Sequence, residues 1–210
     1  MDWKTIFMDI SSDNVQILGW QDISISLNRN NLENILWKEL VELHKKIWFK
    51  NVIVLNWPGG FTNLRVWTLC LNVLNTLLGN QLSFYDISKI DLYRKWYELW
   101  YLPKYGVIYI WQKRNIWLWD FEKNEKIWQY SFDELKNLWE IWNIESVFID
   151  NVEEEKYYPE RMDEYMKCCI SFDCDNILLI DNKTGKSSQI SISGLWLKEI
   201  KSIAPNYMME

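Results

Sequence analysis

The feature that most constrains this sequence is residues 66–80, VWTLCLNVLNTLLGN, which contain no charged side chain. The run continues a pattern that predicts a helix from about 63 to 78, directly after a buried β-branched strand at 51–56, NVIVLN. Arg65, Thr68, Asn72 and Asn75 form a thin polar stripe on an otherwise apolar helix. Such a helix must be covered on more than one side. In a chain of this size we expect a sheet to cover one side and a partner protein to cover another.

Composition narrows the class of protein. A chain of 210 residues with 49% hydrophobic and 25% charged residues is long enough for one large or two small globular domains. The net charge of -6 argues against a protein that itself grips a nucleic-acid backbone. No run approaches the roughly 18 apolar residues of a membrane span. The start, MDWKTIFMDI, is acidic and strand-like rather than a signal peptide, so we expect a cytoplasmic protein.

The sequence offers little for a metal site or for disulfides. It has a single histidine, His44, and no CxxC pair. Its four cysteines are Cys70, Cys168, Cys169 and Cys174. In a cytoplasmic chain these are expected to be reduced thiols.

The order of predicted elements indicates two α/β subdomains, at 1–100 and 101–210. The first opens with strands at 4–10, 15–20 and 22–27, followed by a helix through about Lys46 whose apolar stripe is Leu32, Leu36, Leu40, Leu43 and Ile47. The second opens with paired strands, GVIYIW and IWLWDF, and carries a capping-box pattern at Ser131. It ends with a hairpin around 182–185.

The segment between the buried strand and the charge-free helix, PGGFT at 58–62, is typical of a sharp strand-to-helix turn. Gly59 and Gly60 allow positive φ or close backbone approach, and Pro58 stiffens the entry. Phe61 can anchor the turn to the core, and Thr62 can cap the helix. A strand-to-helix turn with a good cap is by itself enough to explain this motif.

Four blocks resemble the TsaB (YeaZ) family. PGGFTNLRV at 58–66, which includes Arg65, is similar to the GPGSFTGLRIG signature, and IFMDISSDNVQILGW at 6–20 to the opening strand ILAIDTSTEACSVAL, with Asp9 at the aspartate. LPKYGVIY at 102–109 resembles DARMGEVY through Gly106 and Tyr109, with Lys104 for the arginine. IAPNYMME at 203–210 resembles the closing PVYLR through Pro205 and Tyr207. Residues from about 151 to 200 match poorly.

The resemblance implies an actin-like, sugar-kinase-like α/β fold of two subdomains with mixed sheets. It implies a non-catalytic subunit for threonylcarbamoyladenosine formation in tRNA, without a cofactor. This subunit would pair with a TsaD-like protein through its first two helices and be joined by a TsaE-like ATPase. A homodimer is the alternative assembly when the subunit is alone. The predicted contacts are Trp37, Val41, Leu64, Leu71 and Leu78.

Two other classes stay open. One is a degenerate actin-like ATP-binding enzyme or a glycoprotease-like hydrolase. Its first phosphate turn would be DISSDN, which lacks glycine; Asp9 there is a candidate magnesium-side carboxylate, although a structural turn aspartate is favoured. With one histidine the chain cannot build the HxxxH metal site of TsaD. The other class is an RNA-binding module that stacks bases on Trp and Tyr, which the acidic balance opposes.

The tryptophan content raises a separate question. The sequence has 15 Trp and 7 Gly, although glycine usually makes up about 7% of residues. When PGGFTNLRV is aligned with the family signature, Trp57 and Trp67 fall on glycine positions. One hypothesis is that UGA codons meaning glycine were rendered as tryptophan. The rival hypothesis is that these tryptophans are real and locally repacked.

Overall fold

The computed structural model describes residues 4–11, 14–19, 23–28, 32–57, 61–110, 115–131, 147–150, 166–173, 175–195 and 197–204. Pro58, Gly59 and Gly60 of the turn lie outside these ranges, as do Cys174, Pro205, Tyr207 and most of the capping-box helix predicted after Ser131. No helix within these ranges is long and apolar enough to cross a membrane.

The chain divides into two compact units. The first comprises Met1–Lys89, Cys174–Asn176 and Ser191–Glu210, and the second comprises Ile90–Asp173 and Ile177–Ile190. The predicted halves, 1–100 and 101–210, differ from these units mainly at the C-terminus. Residues 199–200 pair antiparallel with the strand at 83–88, so backbone hydrogen bonds hold the end of the chain in the first unit. A division of function between the two halves stays a prediction.

The first unit is built on one mixed sheet with two helices between its parallel strands. Its elements are β1 (Thr5–Asp9), β2 (Asn14–Gly19), β3 (Ile23–Asn28), α1 (Leu32–Ile47), β4 (Asn51–Trp57), α2 (Phe61–Leu77), β5 (Ser83–Ser88) and β13 (Glu199–Ile200). The sheet order is β13-β5-β4-β1-β2-β3. β1, β2 and β3 form an antiparallel meander, and β4 and β5 continue the sheet parallel to β1.

The buried runs read from the sequence form the centre of this sheet. All five residues of β1 are buried, as are residues 52–56 of β4, because both strands have neighbours on both edges and helices to cover them. Leu36, Leu40 and Leu43 of the predicted α1 stripe lie in the same core, and Ile47 packs against it. The strand and helix assignments for this part of the chain are confirmed.

The second unit repeats the same strand order. Its elements are α3 (Lys89–Glu98), β6 (Tyr105–Ile110), β7 (Asn115–Asp120), β8 (Glu125–Ser131), β9 (Val147–Asp150), β10 (Met166–Asp173), β11 (Asn176–Asp181) and β12 (Ser187–Ser191), followed by a 3₁₀ helix, Ile192–Leu195, that returns to the first unit. The sheet order is β12-β11-β10-β9-β6-β7-β8. β6, β7 and β8 are an antiparallel meander, and β9 and β10 are parallel to β6.

In both units, therefore, the first five strands stand in the order 3-2-1-4-5, with an antiparallel meander followed by parallel strands. This duplicated order is that of the actin-like, sugar-kinase-like architecture. The predicted fold class, two α/β subdomains with mixed sheets, is confirmed.

An aromatic cluster forms the core of the second unit around Gly106. Tyr93, Phe121 and Phe148 are buried, with the ring centroids of Tyr93 and Phe148 4.9 Å apart and those of Phe121 and Phe148 5.6 Å apart. A Cβ atom on Gly106 would lie 2.5 Å from Cε1 of Phe148 and 2.7 Å from Cε2 of Phe121. Only glycine lets β6 pass this close to two fixed rings.

We predict that Gly106→Ala lowers the free energy of unfolding by about 1–3 kcal/mol, because the rings must move to admit the methyl group. Gly194→Ala is the matched control, since a Cβ there meets nothing within 4 Å. Chemical denaturation of both variants measures the difference. Equal stability of the two variants would show that the ring cluster has room for the extra carbon.

Candidate partner interface

The helix α2, whose only charged residue is Arg65, lies against the first-unit sheet through several of its largest side chains. Leu64, Trp67, Leu71 and Leu74 are buried in the core with residues of β1 and β4. Two of the predicted partner contacts, Leu64 and Leu71, are thus covered by their own unit. The exposed apolar side of α2 is carried by other residues.

Two residues of the polar stripe of α2, Thr68 and Asn75, face inward, whereas Arg65 is exposed. Thr68 and Asn75 are buried; the Thr68 hydroxyl donates to the carbonyl oxygen of Leu64 at 2.8 Å, and Oδ1 of Asn75 accepts from the backbone N–H of Leu82 at 2.8 Å. Each of these buried polar side chains is thereby hydrogen-bonded to a backbone group.

The C-terminal segment is fastened to this polar stripe. The side-chain amide of Asn72 donates to the carbonyl oxygen of Ile203 at 2.8 Å, and its Oδ1 accepts from the N–H of Ile203 at 3.0 Å. Nδ2 of the buried Asn56 donates to the carbonyl oxygen of Ala204 at 3.0 Å. Ile203 itself is buried in the first-unit core. Residues far apart in sequence thereby cover one side of α2.

The opposite side of α2 exposes an apolar stripe. Leu69, Val73 and Leu77 are 64%, 41% and 69% exposed, and their spacing of four residues places them on one face of the helix. We call these three residues the α2 stripe. Val66 and Cys70 lie beside it at helical spacing and are half-buried, and burial raises the pKa of the Cys70 thiol. Large apolar side chains in a row on one exposed helix face are typical of interaction surfaces.

The remaining predicted contacts lie partly inside the unit. Trp37 and Val41 on α1 and Leu78 after α2 are half-buried and pack against the core, while Ile35 on α1 is exposed. α1 and α2 contact each other. The sequence predicted an excess of apolar surface on α2 but did not single out the α2 stripe. The four-residue spacing of Leu69, Val73 and Leu77 is visible in the sequence. It identifies the exposed face of α2 only once Asn72 is known to face inward.

The structure describes the strand before the PGGFT turn and the helix after it. β4 ends at Trp57 and α2 begins at Phe61, which agrees with the predicted strand-turn-helix order. Thr62 is the second residue of α2, and its capping role stays a prediction. Arg65, in the first turns of α2, is exposed.

Asp9 has a local structural role at the end of β1. Its Oδ1 accepts a hydrogen bond from the N–H of Ser11 at 2.8 Å and another from the Ser11 hydroxyl at 2.6 Å. Asp9 and Ser11 are both buried. This arrangement is an Asx-type turn, which agrees with the favoured structural interpretation of this carboxylate.

His44 packs against rings rather than against ligating groups. Its imidazole meets the Phe49 ring edge-on, with centroids 4.9 Å apart, and burial lowers its pKa. Within the described ranges, no three His, Cys, Asp or Glu residues lie together in a way that could hold a metal ion.

The second unit contains a separate group of buried titratable side chains. The Tyr93 hydroxyl donates to Oδ1 of Asp150 at 2.5 Å, and burial together with the Asp150 charge raises the pKa of Tyr93. Burial, reinforced by the charges of Asp181 and Asp150, also raises the pKa of the Cys168 thiol. Such a thiol is protonated and unreactive at neutral pH, so this group is a packing feature of the core.

Comparisons with known proteins add the following. No protein-family model matches the chain, and no curated protein matches it. Among solved structures it is similar to YeaZ from Pseudomonas aeruginosa, with 13% identity and a TM-score of 0.43 over 70% of this chain and 74% of that one. It is also similar to an uncharacterized protein with similarity to peptidase YeaZ from Pseudomonas aeruginosa, with 13% identity and a TM-score of 0.40 over the same shares.

We predict that Asn72→Ala releases the C-terminal segment from α2. It removes both hydrogen bonds to Ile203, so the free energy of unfolding should fall by about 1–3 kcal/mol and the Ile203 amide should exchange with solvent faster. The measurements are urea denaturation and amide hydrogen exchange. Thr76→Ala is the control, because Thr76 is exposed and its hydroxyl donates to the carbonyl oxygen of Asn72 in the same helix. Unchanged exchange at Ile203 in Asn72→Ala would contradict the anchoring role.

Proposed function

We propose that this chain is a non-catalytic, TsaB-like subunit that supports threonylcarbamoyladenosine formation in tRNA by pairing with a TsaD-like transferase in the cytoplasm. The observation that carries the proposal is the α2 stripe, an exposed apolar row on a helix whose opposite side is buried in its own unit. A TsaE-like ATPase joins the pair as a third component.

The four sequence blocks support the same assignment. They occur in the family's order and include the strand-turn-helix that leads into α2. The duplicated 3-2-1-4-5 strand order is the architecture that the family resemblance implies. Sequence blocks and topology are separate observations, since the strand order follows from backbone pairing rather than from motif identity.

The α2 stripe supplies part of the apolar surface that a partner contact needs. Burying a stripe of several hundred Å² would contribute on the order of 10 kcal/mol before association costs, at about 25 cal/mol/Å². Those costs remove much of the gain, so α1 must add contacts of its own. Ile35 on α1 is exposed, and half-buried Trp37 and Val41 lie on the same helix. A partner helix laid along α1 and α2 would form a helical bundle.

The chain's own residues favour an accessory role over catalysis. The sequence contains one histidine, which packs against Phe49, so it has no HxxxH pair. Asp9 is engaged by Ser11 within its own turn. Because the chain has a net negative charge, we expect the partner rather than this chain to contact tRNA.

The test is co-expression with a TsaD-like protein followed by size-exclusion chromatography. We predict one co-eluting heterodimer peak for the natural chain. The double variant Leu69→Asp, Leu77→Asp should reduce co-elution at least tenfold, because two carboxylates would be buried without partners. Both positions are exposed in the isolated chain, so the variant should keep its circular dichroism spectrum.

Leu99→Asp is the matched control, since Leu99 is an exposed leucine that follows α3 in the second unit. It should co-elute like the natural chain. Separate peaks for the natural chain at low and moderate salt would contradict the proposal. Self-association that is lost in the double variant would assign the α2 stripe to a homodimer instead, and ATP binding by the isolated chain would favour the degenerate enzyme.

A further inference from the structure

Positive backbone φ angles pick out two tryptophans. Six residues in the described part of the chain have φ in the left-handed region. They are Gly79 (68°), Gly185 (70°), Asn80 (58°), Asn124 (55°), Trp48 (52°) and Trp100 (64°). Glycine and asparagine are the residues that adopt this conformation routinely, whereas a bulky side chain there is an outlier that costs about 1–2 kcal/mol. The two tryptophans therefore stand where the backbone requires glycine or asparagine.

Trp100 occupies the glycine position of a helix-ending motif. After α3, the N–H of Trp100 donates to the carbonyl oxygen of Tyr97 at 2.9 Å, and the N–H of Tyr101 donates to that of Trp96 at 3.0 Å. This pair of bonds is a Schellman motif, whose left-handed residue is usually glycine. Trp100 is the left-handed residue here.

The end of α2 provides an internal comparison. The N–H of Gly79 donates to the carbonyl oxygen of Thr76 at 3.1 Å, and that of Asn80 to the carbonyl oxygen of Asn75 at 2.8 Å. The bonding pattern is the same as at the end of α3, with Gly79 in the place of Trp100. One chain thus uses the motif twice, once with glycine and once with tryptophan.

Trp48 ends α1 in the simpler form of the same device. Its N–H donates to the carbonyl oxygen of His44 at 2.8 Å, which is the single bond of the left-handed helix cap. All three α-helices of the described part of the chain therefore end on a left-handed residue, and two of the three are tryptophan.

Packing does not offset the cost at either position. Trp100 is 91% exposed and Trp48 is 69% exposed, so most of each indole remains in water. Two buried tryptophans provide independent evidence of indole side chains that fit poorly in their surroundings. The indole N–H groups of Trp67 and Trp96 are buried without a hydrogen bond, although a buried indole N–H normally finds a partner.

We infer that the natural protein carries glycine at positions 48 and 100, encoded by UGA codons that its cell reads as glycine. This accounts for the left-handed φ values, for the Schellman motif that matches the one at Gly79, and for the composition of 15 Trp against 7 Gly. It has a functional consequence. Without the indoles of Trp48 and Trp100, the large apolar side chains still exposed on or beside the described helices are the α2 stripe, Ile35, Leu99 and Tyr101.

The decisive test is the residue itself. The coding DNA is sequenced at codons 48 and 100, and the protein is isolated from its own cells and digested with trypsin. We expect UGA at both codons and peptides covering residues 47–50 and 96–104 whose masses correspond to glycine at 48 and 100. A UGG codon at either position, or a native peptide with tryptophan there, would overturn the inference.

A second experiment tests the physical basis. In the full chain, Trp48→Gly and Trp100→Gly should each raise the ratio of folded to unfolded protein by about fivefold, because relief of left-handed strain exceeds the entropy that glycine loses. Leu99→Gly is the matched control, since Leu99 is exposed and adjacent but has no positive φ. It should leave the ratio unchanged or lower it. A fall in the ratio for both tryptophan variants would contradict the strain argument.

Discussion

The pairing of Asn72 with the backbone of Ile203 determines which face of α2 the first unit leaves exposed. Two hydrogen bonds in opposite directions join the middle of α2 to the C-terminal segment, and Asn56 adds a third to Ala204. These bonds fix the rotation of α2 about its axis. Leu64, Trp67 and Leu71 pack on the sheet, and Asn72 lies against the C-terminal segment. The apolar residues of α2 left exposed to solvent are therefore Leu69, Val73 and Leu77.

The same construction principle appears twice in the chain. In each unit an antiparallel meander is followed by strands parallel to its first strand, which gives the order 3-2-1-4-5. The cores are nevertheless filled differently. Aliphatic residues dominate around β1 and β4, whereas the second unit packs Tyr93, Phe121 and Phe148 over Gly106. The fold class therefore depends on strand pairing rather than on one set of core residues.

Several elements could be predicted because their residues act locally. The β-branched run of β4 and the leucine repeat of α1 each have a single periodicity, and both elements were found where the patterns placed them. The exposed face of α2 could not be predicted in this way. Thr68 bonds to Leu64 one turn earlier on α2, but the partners of Asn72 and Asn75 are Ile203 and Leu82, which lie outside the helix. The sequence left open whether Asp9 is a magnesium-side carboxylate or a structural turn residue, and its bonds to Ser11 depend on local turn geometry.

The amino-acid sequence alone determined the element order up to about residue 100, the two-subdomain α/β class and the excess of apolar surface on the helix after the PGGFT turn, but it missed β8 and the start of β10. These properties follow from hydrophobic periodicity and turn chemistry, which operate over a few residues. Tertiary structure alone decided which side of that helix is covered, where the C-terminal segment returns, and which tryptophans carry left-handed backbone angles. Each of these depends on contacts between distant segments or on backbone geometry at helix ends, and residue order does not encode either one directly.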